Sequence, residues 1–252
     1  MKRFIESALV VVLLLVLWHL AWQSGRWTEY ILPGPLRVWN AFWVMAKNGT
    51  MLQHTLSSLA RVFAGFSMAF ILAFALGMLA GVFPRSTSYY SQIVEFLRNV
   101  PPMSLIPLLI LWFGIGERSK IILIVLASFF PMFLSIQKGF ASCDVKLLEV
   151  GSAFSFSRWQ RFYRIMLPAA VPDILVGMRV GLGFSWRAII GAEMIAAASG
   201  LGYLVLHAQQ MSRSDRVIAG IFVIGIVGYL CNWLFSFAVK RLAWGGADDS
   251  WS

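Results

Sequence analysis

The stretch from Val62 to Phe83 constrains the fold more than any other, because it is almost entirely apolar and carries no charged residue. A helix of roughly 20 apolar residues is long enough to cross the hydrocarbon core of a bilayer. A backbone in lipid must satisfy its own hydrogen bonds, which favours a helix. We therefore predict a transmembrane helix here. Gly77 and Gly81 either form a small-residue face for close helix packing or are incidental glycines.

Five other apolar runs predict further membrane spans. They are Ala8 to Trp18, Ser91 to Gly114, Ile121 to Ile136, Pro172 to Ala198 and Val217 to Val239, and the second of these is expected to be broken by Pro101, Pro102 and Pro107. Hydrophobic residues make up 59% of the chain and charged residues 13%, which is far from the balance of a soluble domain. The predicted fold class is therefore all-α, a polytopic membrane protein with six transmembrane helices.

The segment between the first two spans is mixed in composition. The basic start of the chain resembles a signal peptide, but no small-x-small cleavage site precedes Gln23, so we expect an uncleaved span. Two short amphipathic helices are predicted outside the membrane, around Arg37 to Lys47 and around Thr50 to Leu59. Asn48-Gly49 is the expected turn between them.

A polar, basic segment from Asp144 to Pro168 separates two long apolar runs. Apolar residues recur at helical spacing from Val145 to Phe154. Ser157 followed by Gln160 is a capping-box signature for a second short helix. The prolines that follow are expected to end that helix. The sequence therefore predicts a helix-turn-helix at a membrane face, long enough to dock on a partner.

This segment resembles the cytoplasmic EAA loop of inner-membrane permease subunits of bacterial ABC importers. The positions that match the spacing of that loop are Glu149, Ile165, Leu167 and Pro168. Val150 and Gly151 stand where the family pattern has two alanines, and Ser155 stands where it has a glycine. A serine costs more than a glycine if the backbone φ is positive there.

Three more stretches resemble the sulfonate, taurine and nitrate branch of these permeases, with the strongest likeness to alkanesulfonate permeases. They run from Leu97 to Ile121, from Gly177 to Trp186 and from Ala192 to Leu204. The resemblance implies a type I ABC importer-like permease fold. It implies a cytoplasmic ABC ATPase dimer that binds ATP and Mg, an extracytoplasmic solute-binding protein, and a second permease subunit, expected to be another copy of this chain in the same lipid membrane.

The resemblance also assigns roles to residues of the polar segment. The residues expected to couple the permease to its ATPase are Glu149, Phe154, Ser155, Ile165, Leu167 and Pro168. Glu149 is expected to contact the ATPase or to cap the loop's own turn, and Phe154 and Phe156 to supply the apolar contacts. Residues 1–61 are interpreted as the first span with an outer connection, residues 62–241 as the core permease domain, and residues 242–252 as a loose tail.

Two ionisable residues in the fifth span are candidates for the translocation pathway. An unpaired guanidinium near the middle of a span costs at least about 2.5 kcal/mol, so Arg187 is expected to be paired, hydrated or facing a cavity. It either lines the passage and attracts an anion or forms a structural pair with another helix. Glu193 is expected to hold the gate region or pair with a base. Arg179 lies near a membrane face and can snorkel.

Several classes of function are disfavoured by the sequence. No G-x-x-x-x-G-K-[ST] motif occurs, so ATP hydrolysis is assigned to a separate subunit and no cofactor is expected in this chain. No catalytic residue is predicted, since no nucleophile–base arrangement lies within one span, and the Cys and His residues lack metal-ligand spacing. The net charge of +10 is attributed to bases facing anionic lipid rather than nucleic acid.

The predicted function is that of the permease subunit of an ATP-driven importer. Its solute is expected to be a small anion such as an aliphatic sulfonate, taurine or nitrate. The alternative is a secondary transporter or channel, although such proteins often show repeated halves and none is visible here. Six spans with the basic segment inside place both termini in the cytoplasm and the protein in the bacterial inner membrane.

Overall fold

The computed structural model describes residues 2–83, 85 and 87–242, and these residues form helices joined by short connections without any strand. The helices are α1 (Lys2–Gln23), α2 (Pro35–Lys47), α3 (Thr50–Val82), α4 (Thr87–Asn99), α5 (Ile106–Phe113), α6 (Glu117–Ala141), α7 (Val145–Ala153), α8 (Arg158–Arg161), α9 (Leu167–Ala196), α10 (Leu201–Gln210) and α11 (Ser214–Leu242). A 3₁₀ turn precedes α5 and a π-helical segment, Phe162–Met166, joins α8 to α9. The predicted all-α class is confirmed.

Four helical stretches of the described chain are long and apolar enough to cross a membrane. They are Thr50–Val82, Glu117–Ala141, Arg158–Ala196 and Ser214–Arg241. A fifth span is possible if α4 and the segment Pro102–Phe113 count as one. The apolar part of α1, Leu9–Gln23, is shorter than the others. The multi-pass prediction is confirmed, and the first of the six predicted spans stays a prediction.

The third predicted span is sharply bent rather than a single helix. The chain turns by 85° between α4 and the segment that begins at Pro102. Pro101 and Pro102 explain the break, because proline lacks the N–H that would continue the helical ladder and disfavours helical geometry in the residue before it. The run from Ser91 to Gly114, whose prolines predict a break, therefore forms two helices joined by a turn.

Three other boundaries differ from the sequence prediction. The short helix predicted at Thr50 to Leu59 is the first part of α3, since no helix-breaking residue separates it from the second span. The helix that begins at Arg158 does not end at the prolines but runs on to Ala196. The connection predicted between the last two spans contains a helix, α10, which sequence reasoning missed.

The π-helical segment explains how the helix passes the prolines. Pro168 is the second residue of α9, where the missing N–H is tolerated. The Leu167 N–H donates to the carbonyl of Phe162, five residues back, so the backbone winds more loosely just before Pro168. Pro172 lies inside α9 itself. The proline pair therefore alters the hydrogen-bond pattern of this helix without ending it.

The chain divides into two compact units, each discontinuous in sequence. One comprises Met1–Ser58 and Glu193–Val227, and the other Leu59–Ala192 and Gly228–Ser252. The core of the first unit contains Val38 and Met45 of α2 together with Leu204, Val205 and Ala219. The predicted C-terminal tail, beyond residue 242, lies outside the described residues. The predicted division at residues 61 and 241 stays a prediction.

Small residues let α3 and α6 approach closely in the second unit. A Cβ atom added to Gly77 would lie 2.9 Å from Cγ2 of Ile136, and one on Gly81 would lie 2.4 Å from Cβ of Phe140. Residues of α6 therefore fill the space beside both glycines. This confirms that the pair forms a small-residue face for close helix packing. Gly65 makes the same contact with Ile124.

Candidate functional site

The polar segment folds as an ordered loop that begins with α7. Asp144 caps this helix, since its Oδ1 accepts a hydrogen bond from the Lys146 N–H at 2.9 Å. At the other end, the Phe156 N–H donates to the carbonyl of Gly151 and the Ser155 N–H donates to that of Ser152, both at 2.9 Å. This pair of bonds is a Schellman motif, which satisfies the last carbonyls of a helix.

Ser155 has a φ of +55°, in the left-handed region. A Schellman motif requires this conformation just after the helix end, and glycine usually provides it. Serine adopts it at a cost of roughly 1–2 kcal/mol. The departure from the glycine of the family pattern therefore leaves the turn geometry intact.

Gly151 allows α7 to pack against the helix that follows the turn. It is buried, and a Cβ atom added to it would lie 2.7 Å from Cδ1 of Ile165 and 3.5 Å from Cδ2 of Phe156. The missing methyl group leaves room for the Ile165 side chain to lie directly on the backbone of α7. Ile165 is half-buried in this position, so it holds the two halves of the loop together.

The second half of the loop begins with the predicted capping box, which is confirmed. The Gln160 N–H donates to Ser157 Oγ at 3.3 Å, and the Ser157 N–H donates to Gln160 Oε1 at 2.8 Å. Arg161 crosses back to α7 and donates to Ser152 Oγ at 3.2 Å. Arg164 lies over the Phe156 ring, 5.4 Å from its centroid.

Large apolar side chains cover the outside of this loop. Phe154 is 72% exposed and Trp159 is 71% exposed, and Tyr163 stacks on Trp159 with ring centroids 6.0 Å apart. Phe156, in contrast, is half-buried and packs inward. Sequence reasoning identified Phe154 but missed Trp159 and Tyr163, whose spacing of four residues in a helical stretch is the signal that would have found them.

The remaining predicted loop residues divide into exposed and half-buried positions. Glu149 and Pro168 are exposed, and Leu167 is half-buried like Ile165. Four bases, Lys146, Arg158, Arg161 and Arg164, stand against two acids, Asp144 and Glu149. The loop therefore offers an exposed aromatic surface with a positively charged rim, as protein-docking surfaces do.

Arg187 is exposed in the middle of a stripe of exposed apolar residues on α9. The stripe includes Val176, Val180 and Phe184. The Arg187 guanidinium carbon lies 5.8 Å from the centroid of the Phe184 ring. At this distance a cation–π interaction stabilises the charge from one side. The adjacent residues Ala188 and Ile189 are buried. The charge therefore projects away from the helices that pack on the other side of α9.

The bend between α4 and α5 packs against α9 one turn beyond Arg187. A Cβ atom added to Gly191 would lie 2.1 Å from Cε of Met103, which belongs to the 3₁₀ turn of the bend. Discontinuous helices of this kind often form solute sites in transporters, because their ends leave backbone polar groups available. Arg179, nearer the start of α9, donates to Asn232 Oδ1 of α11 at 3.3 Å.

Glu193 lies fully buried at the end of α9, in the first unit. Its Oε2 lies 2.8 Å from Ser58 Oγ, which donates to the carboxylate, and accepts from the Gly202 N–H at 3.0 Å. Ser58 Oγ in turn accepts from the Leu201 N–H at 2.9 Å. Gly200 has a φ of +112°, and a Cβ atom there would lie 2.1 Å from Cδ of Glu193.

This arrangement places a carboxylate at the N-terminus of α10. The first amide groups of a helix lack partners within the helix and carry positive partial charge, so a buried carboxylate is well suited to them. Glu193 therefore fixes the turn between α9 and α10. Sequence reasoning singled out Glu193 but missed Ser58, which is 135 positions away and had no local signal.

An ionic cluster joins α3 to α6 in the second unit. The nearly buried Arg61 donates through Nε to Glu117 Oε2 at 2.6 Å and through Nη2 to Oε1 at 2.9 Å. The buried Lys120 shares the same carboxylate, with Nζ 2.7 Å from Oε1. Within the described residues, no group of His, Cys, Asp or Glu side chains could hold a metal ion.

The fold, the exposed loop and the bent helix agree with a transport role, and comparison with known proteins decides the family. Residues 65–244 match the binding-protein-dependent transport system inner membrane component. The chain belongs to this family. It is thus the permease subunit of an ABC importer and a multi-pass protein of the inner membrane, as the sequence predicted.

Similar members of the family include named permeases. The putative aliphatic sulfonates transport permease SsuC of Bacillus subtilis is 34% identical, over 96% of this chain and 88% of that protein. The taurine transport permease TauC of Escherichia coli is 35% identical, over 94% and 88%. The nitrate import permease NrtB of Synechocystis is 30% identical, over 93% and 88%.

Solved structures support the permease fold. A chain of the MetNI methionine ABC transporter, in an inward-facing conformation, superposes with a TM-score of 0.67 at 17% identity, covering 78% of this chain and 97% of that one. A chain of an amino acid ABC transporter gives a TM-score of 0.63 at 15% identity, covering 80% and 96%. At these identities the likeness concerns the fold, and it confirms the predicted type I importer-like class.

Proposed function

We propose that this permease imports a small anion, an aliphatic sulfonate, taurine or nitrate, using ATP hydrolysed by a separate ABC ATPase dimer. The ordered loop at residues 144–168, with its exposed aromatic surface, is the observation that carries the proposal. ATP and Mg are bound by the ATPase and not by this chain. The names of the similar permeases support the solute class.

Some residues of the loop contact the ATPase, and others keep the loop folded. Phe154 and Glu149 are exposed and contact the ATPase. Ser155 holds the loop in shape through the turn and Ile165 through its packing on α7, while Leu167 packs against the apolar core that includes Ala69 and Phe140. Pro168 starts the long helix into the membrane, so that a displacement of the loop is passed to α9. Trp159 and Tyr163 extend the contact surface beyond the predicted residues.

Arg187 is the residue proposed to attract the anion along the translocation pathway. The supporting observation is that Arg187 is exposed beside an apolar stripe of a membrane helix. A guanidinium that faced lipid there would be costly. The nearby bend at Met103 supplies a broken helix, a frequent element of solute sites. Glu193 contributes to the pathway indirectly, since it holds the turn before α10 and has no exposed surface of its own.

The assembly proposed around this chain contains a second permease subunit, taken to be another copy. An extracytoplasmic binding protein delivers the solute, and both termini of the permease lie in the cytoplasm. This orientation puts the 144–168 loop on the side where the ATPase is found. It also accounts for the bases of the loop, since cytoplasmic segments of membrane proteins are rich in Lys and Arg.

The solute proposal is tested by uptake in proteoliposomes that contain the permease, its ATPase and the binding protein. Arg187→Met should abolish uptake at normal membrane abundance, while Arg187→Lys should retain part of it because the positive charge remains. The control is Arg118→Met, which removes an exposed arginine elsewhere and should transport normally. Loss of Arg187→Met from the membrane would instead indicate a structural pair, and normal uptake by both Arg187 variants would contradict both roles.

A further inference from the structure

We propose that α2 lies in the membrane–water interface, with Leu36, Trp39 and Trp43 inserted at the boundary between lipid headgroups and acyl chains. The partner of this surface is phospholipid, in the leaflet reached by the carboxyl end of α1. The proposal depends neither on the solute nor on the orientation of the chain. It rests on the faces of α2, its attachment to α1 and the exposure of α1.

The exposed side of α2 has an apolar edge and a polar edge. Val38, Ala41 and Met45 form the buried side. At 100° per residue, Leu36, Trp39 and Trp43 lie within about 60° of one another on the exposed side. The exposed polar residues Arg37, Asn40 and Lys47 lie next to them within about 80°, in an arc that also contains the exposed Val44. An interfacial helix needs such a division, with aromatic side chains toward the lipid and polar ones toward water.

The start of α2 is fixed at the level of the last turns of α1. Trp18 Nε1 donates to the carbonyl of Pro33 at 3.1 Å. Gly34 lies against the Trp22 ring so closely that a Cβ atom would be 2.8 Å from Cε2. Trp18 precedes the end of α1 by five residues, which is about 7–8 Å along a helix. α2 therefore begins beside the last turns of α1 and not beyond its carboxyl end.

The depth of α1 sets the depth of α2. Every residue from Leu9 to Leu17 is apolar and exposed, and Trp18, which follows, is half-buried. A helix that exposes an apolar surface all round belongs in hydrocarbon. Trp18 and Trp22 near its end are typical of the interface between membrane and water. Pro33, held by Trp18, is therefore at interfacial depth, and α2 extends from there.

The charges of α2 fit this position. Arg37 is paired with Glu29 and lies 4.0 Å from Asp215, so it stays on the side of the helix that faces the protein's own polar groups. Lys47, in the last turn, can extend its amine to lipid phosphate while its stem stays in the apolar layer. The aromatic edge carries no charge that would resist insertion.

Spin labels test the depth of α2 in the full-length protein. A variant with Cys143→Ser and Cys231→Ser receives one cysteine at a time at Leu36, Trp39, Trp43 or Asn40, and is placed in nanodiscs of phosphatidylethanolamine and phosphatidylglycerol. Labels at 39 and 43 should collide with oxygen more than with a water-soluble nickel chelate, which corresponds to about 5–10 Å below the headgroups. The matched label at Asn40 should show the reverse preference.

Two outcomes would overturn the proposal. Equal access of the nickel chelate to positions 39, 43 and 40 would mean that the whole exposed side faces water. Labels at 39 and 43 that are shielded from both oxygen and nickel would mean that protein covers this edge. In that case, shielding that disappears on dilution to one permease copy per disc would identify a second copy, and shielding that requires added binding protein would identify that protein.

Discussion

The hydroxyl of Ser58 and the carboxylate of Glu193, 135 positions apart, form a buried hydrogen bond of 2.8 Å. The bond connects α3 to the end of α9 within one compact unit. The same two side chains bind the amides of Leu201 and Gly202, so they also begin α10. Three helices, α3, α9 and α10, therefore meet at one small polar cluster.

Glu193→Ala is expected to destabilise the permease. It leaves the Ser58 hydroxyl and the Gly202 amide buried without this acceptor, at a cost of about 1–3 kcal/mol for each unsatisfied group. Glu193→Gln should be milder, because the amide oxygen can still accept. Thermal denaturation in detergent measures the difference. The control is Ser57→Ala, whose hydroxyl bonds only locally to the Gln53 carbonyl on the exposed side. Equal stability of Glu193→Ala and Ser57→Ala would refute the anchoring role.

Ser155→Gly is expected to stabilise the loop by about 1 kcal/mol, because glycine adopts a positive φ without steric cost. Ala153→Gly, two residues earlier and inside α7, should destabilise by a similar amount, since glycine weakens a helix. Chemical denaturation of the two variants compares the introduction of a glycine in two backbone conformations. A stabilising Ala153→Gly, or a destabilising Ser155→Gly, would be inconsistent with the Schellman turn.

Cys143 reports on the side of the membrane that the loop faces. Burial raises the pKa of its thiol, and the carboxylate of Asp144 raises it further, so the reactive thiolate is scarce at neutral pH and increases as the pH rises. In a Cys231→Ser background, a membrane-impermeant maleimide should label Cys143 in inverted vesicles but not in right-side-out vesicles. Labelling of right-side-out vesicles alone would reverse the proposed orientation.

The same thiol tests whether Asp144 contributes to the raised pKa. Asp144→Asn should accelerate labelling at a fixed pH, because it removes the negative charge that raises the pKa while asparagine can still cap α7. The rate is measured against pH from neutral upward, and the profile should move to lower pH. An unchanged profile would mean that Asp144 has no influence on the thiol.

Much of the fold follows from local sequence. The apolar runs predicted the positions of the long helices, and the residues of the capping box at Ser157 and of the turn at Asn48-Gly49 lie next to one another in the chain. The sequence comparison also pointed to Ser155 as a position where a positive φ would make serine less favourable than glycine. These features could be predicted because the groups that stabilise them are a few residues apart.

The missed features depend on distant groups. The first amides of α10 bind Ser58 and Glu193 rather than a neighbouring cap, so no start signal precedes Leu201. The prolines at 168 and 172 were expected to end a helix, but the π-helical segment absorbs the change in hydrogen bonding. Phe156 was expected to supply an apolar contact, but it packs against Gly151 and beneath the Arg164 guanidinium, and these contacts exist only in the folded loop.

The central claim is that the exposed aromatic surface of the 144–168 loop docks on the ATPase, and the affinity between purified permease and ATPase tests it most directly. Truncating Phe154 and Trp159 to alanine should each remove about 2 kcal/mol of binding energy, or about 30-fold in Kd, if they are central contacts. ATP turnover stimulated by the permease should fall in parallel. Trp27→Ala, which truncates an exposed aromatic residue outside the loop, should bind like the wild type. Unchanged affinity and turnover in Phe154→Ala and Trp159→Ala together would contradict the account.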